Sequence, residues 1–152
     1  KFNLPILCKD FFIDKFQIPL AKSYGADAIL IILAGVSDDL ANELYEEAIK
    51  YGMSVIVEVH TVEEAIKSLN FKEALIGINN RNLDTLEIDL KTTQKVLEGY
   101  KKSRLILTES GIETVEDIQY LKKCGADAFL VGSSIMKSDN IEEHVRKLVN
   151  AF

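Results

Sequence analysis

The sequence has little cysteine, no long apolar run and no excess of basic residues. Its two cysteines among 152 residues are too few for a disulfide-stapled scaffold. No apolar run reaches the roughly 18 residues that a membrane span requires. The formal net charge of −6 argues against broad binding to nucleic acid or to an anionic membrane surface. We therefore predict no nucleic-acid partner and no membrane partner.

The remaining composition is that of a globular domain. Hydrophobic residues make up 47% of the chain, which is too many for a disordered segment. The two thiols are typical of a reducing compartment, and we predict a cytoplasmic protein. The chain starts on Lys1 without a methionine and enters a strand-like segment at once. We expect no signal peptide and expect the chain to be part of a longer protein.

A repeated helix–glycine–strand unit is the strongest pattern in the sequence. The segment 25–31, Gly-Ala-Asp-Ala-Ile-Leu-Ile, recurs at 125–131 as Gly-Ala-Asp-Ala-Phe-Leu-Val, and 51–57 is a weaker copy. Glycine adopts the left-handed conformation that ends a helix, and a short turn then leads into a buried strand. The chain is therefore predicted to be built from such units.

Six near-continuous apolar runs alternate with amphipathic stretches, which predicts an α/β fold with parallel strands covered on both faces. The predicted strands are Pro5–Cys8, Ala28–Leu33, Val55–Val59, Ala74–Ile78, Leu105–Thr108 and Ala128–Val131. The predicted helices include Ser37–Tyr51, Thr61–Leu69 and Asp139–Phe152, and Thr61 and Thr114 each precede an acidic residue by three positions, as in a capping box.

Such a sheet can be open and doubly wound or closed as a TIM (β/α)₈ barrel, and the ends of the strands favour the barrel. Four of the six runs stop at a polar or charged residue, as expected where strand ends converge on one catalytic face. Six units are two short of a closed barrel. We therefore predict one domain over residues 1–152, a partial barrel that lacks the first two βα units.

The polar strand ends form a candidate acid–base set: Lys9, Glu58, Asn79 and Glu109. Singly, each has an ordinary explanation, since Glu58 could be a solvated strand-end carboxylate, Lys9 could pair with Asp10, and asparagine is common in turns. Alternation along 55–59 places Glu58 on the face opposite the valines, where a partly desolvated carboxylate would suit proton transfer. Together the four predict an acid–base site.

Glycine–serine turns after the last two strands predict a phosphate site. Ser110 and Gly111 follow one strand, Gly132 and Ser133 follow the next, and both pairs lead towards helices. Glycine lets backbone N–H groups approach an oxyanion, and the loops after strands seven and eight commonly bind phosphate in this fold. The alternative is a pair of ordinary turns.

Neither a dinucleotide motif nor a P-loop motif occurs, and the histidines and cysteines are scattered, so we predict no cofactor and no metal.

Five segments in the right order and spacing closely resemble indole-3-glycerol phosphate synthase, an enzyme family of tryptophan biosynthesis. They are Pro5-Ile6-Leu7-Cys8-Lys9-Asp10-Phe11, Val57-Glu58-Val59-His60, Ile76-Gly77-Ile78-Asn79-Asn80-Arg81-Asn82-Leu83, Thr108-Glu109-Ser110-Gly111-Ile112 and Phe129-Leu130-Val131-Gly132-Ser133-Ser134. The resemblance covers nearly the whole chain and implies the third through eighth βα units of that family's barrel.

The resemblance implies a carboxy-lyase that closes an indole ring on 1-(2-carboxyphenylamino)-1-deoxyribulose 5-phosphate, with loss of carbon dioxide and water. It makes Lys9 the general acid of ring closure, Glu58 a catalyst of the dehydration, and Asn79 and Glu109 groups that orient hydroxyls and stabilise charge. The implied substrate and phosphate positions are Phe11, Leu30, Arg81, Ser110, Leu130, Gly111, Gly132 and Ser133.

One departure bears on activity. The family's first strand supplies a further lysine and glutamate, and this sequence has no such segment, so we expect little turnover from these 152 residues alone. Two alternatives stay open: a related barrel such as phosphoribosylanthranilate isomerase, and an inactive phosphate-binding fragment. In a partial barrel, the first strand (5–8) and the last strand (128–131) each have an unpaired edge. Such edges favour self-association or pairing with a complementing N-terminal segment.

Overall fold

The computed structural model describes residues 3–151, which form two compact units. Residues 3–59 and 63–76 belong to the first unit, and residues 60–62 and 77–151 belong to the second. The α-helices are α1 Gln17–Ser23, α2 Asp38–Lys50, α3 Val62–Lys67, α4 Lys91–Gly99, α5 Val115–Cys124, α6 Ser133–Lys137 and α7 Ile141–Asn150. The strands are β1 Leu7–Cys8, β2 Ala28–Ile32, β3 Ser54–Val59, β4 Leu75–Asn79, β5 Ile106–Glu109 and β6 Ala128–Leu130.

The predicted α/β fold class is confirmed, as a partial barrel of the TIM type with six strands. Strands β1, β2 and β3 lie side by side in that order in the first unit, and β4, whose last three residues belong to the second unit, lies beside β5 and β6 in that order. The pairs β1–β2, β2–β3 and β5–β6 are parallel. All six predicted strands are present within two residues of their expected bounds. The prediction of a single domain stays a prediction.

Strands β2 and β3 of the first unit are buried on both faces along most of their length. Four consecutive residues of β2, from Ile29 to Ile32, are buried, as are the five residues of β3 from Val55 to Val59. Continuous burial is typical of parallel strands between layers of helices. Helix α2 supplies part of this cover through Ala41, Leu44 and Ala48, which recur at the spacing of one helix face.

Local capping explains where several helices start. The Ser37 hydroxyl accepts a hydrogen bond from the Leu40 N–H, and Asp38 and Asp39 occupy the favourable first turn of α2. Thr114 and Asp117 form the predicted capping box at α5, with reciprocal side-chain hydrogen bonds. The box predicted at Thr61 stays a prediction. The sequence patterns thus located both ends of α2 to within a residue, and the start of α5.

The repeated unit has the same structure in both copies. Gly25 and Gly125 adopt left-handed conformations with φ of 92° and 111°, and Gly52 of the weaker copy does so at 65°. Asp27 donates its N–H to the Ile6 carbonyl and accepts the Ile6 N–H on Oδ2, both at 2.8 Å. Asp127 makes the same two bonds with Ile106, also at 2.8 Å. Each aspartate therefore fixes both polar backbone groups of a residue where a neighbouring strand starts.

Asp127 also forms an ion pair with Lys102. The Lys102 Nζ donates to Asp127 Oδ1 at 2.6 Å and to the Gly125 carbonyl at 2.8 Å, next to the end of α5. Burial raises the pKa of the Asp127 carboxyl, but the hydrogen bonds from Lys102 and from the Ile106 N–H outweigh it and hold that pKa below its usual range. The charged form of Asp127 therefore stabilises the second unit.

Among residues 3–151, no helix is long and apolar enough to cross a membrane.

We expect Asp127→Asn to lower the free energy of unfolding at neutral pH by about 1 kcal/mol, because charge-assisted bonds to Lys102 and Ile106 are weakened. A carboxyl with a lowered folded pKa stabilises above its unfolded pKa of about 3.9, and this contribution is lost as pH falls through the folded pKa. Urea unfolding at a series of pH values should show the difference from wild type shrinking below about pH 4. Asp139→Asn, at an exposed position, is the control. A difference that is constant or grows on acidification would contradict the assignment.

Candidate active site

A lysine and a buried glutamate meet at the strand ends of the first unit. Lys9 follows β1 directly, and Glu58 is the second-last residue of β3. The Lys9 Nζ lies 3.3 Å from Glu58 Oε2, although 49 residues separate the two along the chain. The Glu58 side chain is 1% exposed and that of Lys9 is 37% exposed. The buried carboxylate therefore pairs with a lysine side chain that is partly open to solvent.

The pairing has a simple electrostatic reason. A carboxylate removed from water is costly unless a cation or several hydrogen bonds compensate its charge. Lys9 supplies such a cation, and the buried carboxylate in turn fixes the position of the lysine. The burial of Glu58 agrees with the prediction of a desolvated carboxylate near a strand end, and its placement on the face opposite the valines stays a prediction.

Two of the predicted substrate positions of the first unit differ in exposure. Leu30 on β2 is buried, whereas Phe11 is exposed on the loop after β1. Gln17 organises that loop: its Oε1 accepts the N–H groups of Ile13 and Asp14 at 2.7 and 2.9 Å, and its Nε2 donates to the Phe11 carbonyl at 2.9 Å. No sequence pattern indicated this role for Gln17.

The second unit brings the ends of β4 and β5 together. Asn79 and Glu109 are the last residues of these strands, and both are buried. The Asn80 N–H donates to the Glu109 carbonyl at 2.9 Å, which joins the two strand ends. The Asn79 Oδ1 accepts the Arg81 N–H at 2.9 Å, and Glu109 pairs in register with Leu130 of β6.

Arg81 belongs to a folded loop. It forms an isolated antiparallel bridge with Ile88, and its Nη1 donates to the Leu86 carbonyl at 3.3 Å. Within the loop, Asn82 Oδ1 accepts the N–H groups of Asp84 and Thr85 at 2.8 and 2.9 Å. The half-buried guanidinium of Arg81 is thus carried by an ordered segment.

The predicted phosphate turns differ in backbone geometry. Ser110 and Gly111 are both left-handed, with φ of 68° and 77°. Gly132 and Ser133 are exposed at the start of α6, where Gly132 has a φ of −128°. The Ser134 hydroxyl donates to the Ile112 carbonyl at 2.9 Å and ties the two turns to each other. Within the second unit the turns are therefore neighbours, as the prediction requires.

The structure pairs Lys9 with Glu58 in the first unit, and it joins the Asn79 and Glu109 strand ends in the second. The convergence of all four on one cavity stays a prediction. Sequence patterns did not indicate Asn80, whose side chain contacts the carbonyls of Glu109 and Ser110 at 2.9 and 3.1 Å.

The fold and the polar strand ends place the chain among βα-barrel proteins, whose sites lie at the carboxyl ends of the strands. The family model for indole-3-glycerol phosphate synthase matches residues 1–148. A protein of that name from Lachnospira eligens is 43% identical over 155 residues, covering 99% of this chain and 58% of the relative. One from Azospirillum brasilense is 41% identical, covering 97% and 56%. The chain belongs to the indole-3-glycerol phosphate synthase family, and it spans somewhat more than half the length of these curated relatives.

Solved structures share the fold at low identity. A chain of the BexX/CysO complex from Amycolatopsis orientalis matches with a TM-score of 0.70 at 14% identity, covering 95% of this chain and 64% of that chain. A mandelate oxidase variant matches with a TM-score of 0.74 at 14% identity, covering 97% and 57%. At these identities the likeness establishes the fold alone.

Gly111→Ala should destabilise the protein for two reasons. Its φ of 77° is unfavourable for alanine, at a cost of about 1–2 kcal/mol, and the added Cβ would lie 2.3 Å from Ile88 Cγ2. Adding Ile88→Ala removes the contact with Ile88 but not the backbone strain. We therefore expect the double variant to recover part of the lost Tm and of the lost free energy of unfolding, measured by heat and by urea.

Gly132→Ala is the matched control for stability, since a Cβ there meets no atom within 4 Å. Equal losses for the two glycine variants, or no recovery in the double variant, would show that the Gly111 turn is not as described.

Proposed function

We propose that the protein at its natural length is an indole-3-glycerol phosphate synthase. It would close the indole ring on 1-(2-carboxyphenylamino)-1-deoxyribulose 5-phosphate with loss of carbon dioxide and water. The observation that carries the proposal is the pairing of Lys9 with buried Glu58 at 3.3 Å, in a chain of this family. The implied class is a carbon–carbon lyase.

In this proposal Lys9 is the general acid of ring closure. An aromatic carbon bonds to the keto carbon, and Lys9 gives a proton to the keto oxygen as it becomes a hydroxyl group. The carboxyl group leaves as carbon dioxide. The hydroxyl group then takes up a proton and leaves as water, while the neighbouring ring carbon loses a proton as the indole double bond forms. The geometry supports this role because the Lys9 side chain is partly exposed, while the buried carboxylate of Glu58 pairs with its ammonium group.

Glu58, Asn79 and Glu109 complete the proposed acid–base set. Glu58 assists the dehydration, beside the lysine that delivered the first proton. Asn79 and Glu109 orient the substrate hydroxyls and stabilise developing charge, and both are buried. Burial of such groups strengthens their electrostatic effect on a bound substrate.

The remaining positions bind the substrate in this proposal. Exposed Phe11 offers apolar surface to the aromatic ring in the first unit, and buried Leu30 on β2 is the second position that we assign to this ring. In the second unit, Arg81, Ser110 and Leu130 contact the substrate, and the backbone of Gly111, Gly132 and Ser133 holds its phosphate. Backbone N–H groups at glycine turns are suited to a phosphate oxygen.

The other candidate functions have less support. A phosphoribosylanthranilate isomerase would share the glycine–serine turns, but the family match and the Lys9–Glu58 pair favour the synthase. Self-association or complementation at the sheet edges stays a prediction. We also keep a cytoplasmic location as a proposal, supported by two free cysteines, Cys8 and Cys124.

Replacement of Lys9 by methionine should lower kcat on the order of 100- to 10,000-fold, because a general acid contributes about that factor. Formation of the indole product from the carboxyphenylamino substrate is followed by fluorescence, with the protein at its natural length. Lys15→Met is the matched control, since Lys15 is exposed and pairs with exposed Glu43. Glu58→Gln should also reduce kcat. Wild-type-like turnover by the Lys9 variant would remove Lys9 from the mechanism.

Phosphate binding is tested separately. Ser133→Asp adds a negative charge at the proposed phosphate turn and should weaken binding of inorganic phosphate at least tenfold by calorimetry, because like charges repel. Gln119→Glu adds the same charge at an exposed position on α5 and should leave the affinity unchanged. Phosphate density in a soaked crystal away from Gly111, Gly132 and Ser133 would count against this site.

A further inference from the structure

A buried ring of hydrogen bonds lies beneath the strand ends of the second unit. The side chains of Asn80, Thr93 and Thr108 are 1%, 0% and 0% exposed. Asn80 Nδ2 lies 3.1 Å from Thr108 Oγ1, the two threonine hydroxyls are 2.7 Å apart, and Thr93 Oγ1 lies 2.8 Å from Asn80 Oδ1. Three residues from β5, α4 and the loop after β4 are thereby joined in a closed cycle.

The chemistry of the groups allows one direction around this ring. The Asn80 Oδ1 can only accept, so the Thr93 hydroxyl donates to it. The Thr93 oxygen then accepts the Thr108 hydroxyl proton, and the Thr108 oxygen accepts from Asn80 Nδ2. Every hydroxyl therefore both donates and accepts, which is the arrangement that avoids a buried unsatisfied group.

The ring also fixes which way the Asn80 amide faces. Its Oδ1 accepts the Thr93 backbone N–H at 3.2 Å, a bond that the NH₂ group could not make. One N–H of its Nδ2 donates to Thr108 Oγ1, so the other is shared between the Glu109 and Ser110 carbonyls, at 2.9 and 3.1 Å. The Asn80 N–H bonds the Glu109 carbonyl as well, at 2.9 Å. A single side chain thus holds two successive carbonyls of the segment that leaves β5.

That segment has an unusual backbone. Ser110 is left-handed at φ of 68° and is followed by left-handed Gly111, a conformation that costs a non-glycine residue about 1–2 kcal/mol. Such a conformation persists only where the surroundings determine it. The two carbonyl contacts of Asn80 supply this constraint, since they set the orientation of the peptide planes on both sides of Ser110.

We propose that Asn80 is a positioning residue that holds Glu109, Ser110 and Gly111 in place for the substrate, with Thr93 and Thr108 locking its amide. This inference rests on the proposed function, in which those three residues act on the substrate. Asn80 itself lies between Asn79 and Arg81, so one side chain couples the groups at the ends of β4 and β5. It acts through its neighbours, because both ends of its side-chain amide are already hydrogen-bonded to protein groups.

The test compares variants that break the ring with variants that keep it, in the protein at its natural length. Asn80→Asp has the same shape but cannot donate from its side chain, and it turns a charge towards two carbonyls. Thr93→Val and Thr108→Val remove one hydroxyl each, whereas Thr93→Ser and Thr108→Ser retain it. Leu148→Ala, in the apolar cluster of the second unit, is a control for lost stability alone.

We expect Asn80→Asp to lower kcat on the order of 100-fold, because small displacements of catalytic groups have effects of that size. The valine variants should lower kcat by a smaller factor, on the order of 10-fold, and the serine variants should stay within threefold of wild type. Leu148→Ala should lower Tm while leaving kcat unchanged well below Tm. Crystal structures of the Asn80 and valine variants should show Ser110 leaving the left-handed region.

The outcomes separate this inference from the proposed function. If the wild type does not turn over the substrate, the proposed function fails. The role of Asn80 is then decided by the crystal structure of Asn80→Asp. An unchanged φ of Ser110 in that structure overturns the inference. If the wild type is active, an Asn80→Asp variant with kcat within threefold of wild type overturns the inference. Equal loss of kcat in the serine and valine variants does the same, since the hydroxyls would then be irrelevant.

Discussion

Polar side chains buried at the carboxyl ends of strands are the constraint on which the site depends. Glu58, Asn79, Asn80 and Glu109 are all nearly inaccessible to water, yet each carries a charge or a strong hydrogen-bonding group. Removing such groups from water is favourable only when partners are supplied by the fold. The lysine above Glu58 and the threonine ring around Asn80 are two such partners. These partners reach the buried groups only where the backbone is accurately placed, and accurate placement also suits a catalytic site.

A second constraint acts where the strands start. Asp27 and Asp127 each bind both backbone groups of a residue at the beginning of a neighbouring strand. Because these bonds set which residue lies opposite the aspartate, they set the register of β1 against β2 and of β5 against β6. In a parallel pair, register determines which residues face each other at the far end, such as Glu109 and Leu130. The repeated Gly-Ala-Asp turns therefore help to place residues of the proposed site.

The residues at the two ends of the strands have different roles. The aspartate contacts at the starts hold the backbone in place, whereas the polar groups at the carboxyl ends are those that we propose to act on the substrate. This division is typical of βα barrels, in which one face stabilises the fold and the other binds the substrate. The chain spans somewhat more than half the length of its relatives from Lachnospira eligens and Azospirillum brasilense, so the reaction itself is proposed for the protein at its natural length.

The sequence by itself determined the strands, the capped starts of α2 and α5, the repeat and the family, because each depends on residues close together in the chain or on a motif. It also singled out Glu58 and Glu109 as polar strand ends. Only the tertiary structure decided that Lys9 contacts Glu58 across 49 residues, and that Asn80 holds the Ser110 turn through Thr93 and Thr108. No local pattern encodes these contacts. They arise because parallel pairing brings distant strand ends together, and burial then requires every polar group there to find a partner.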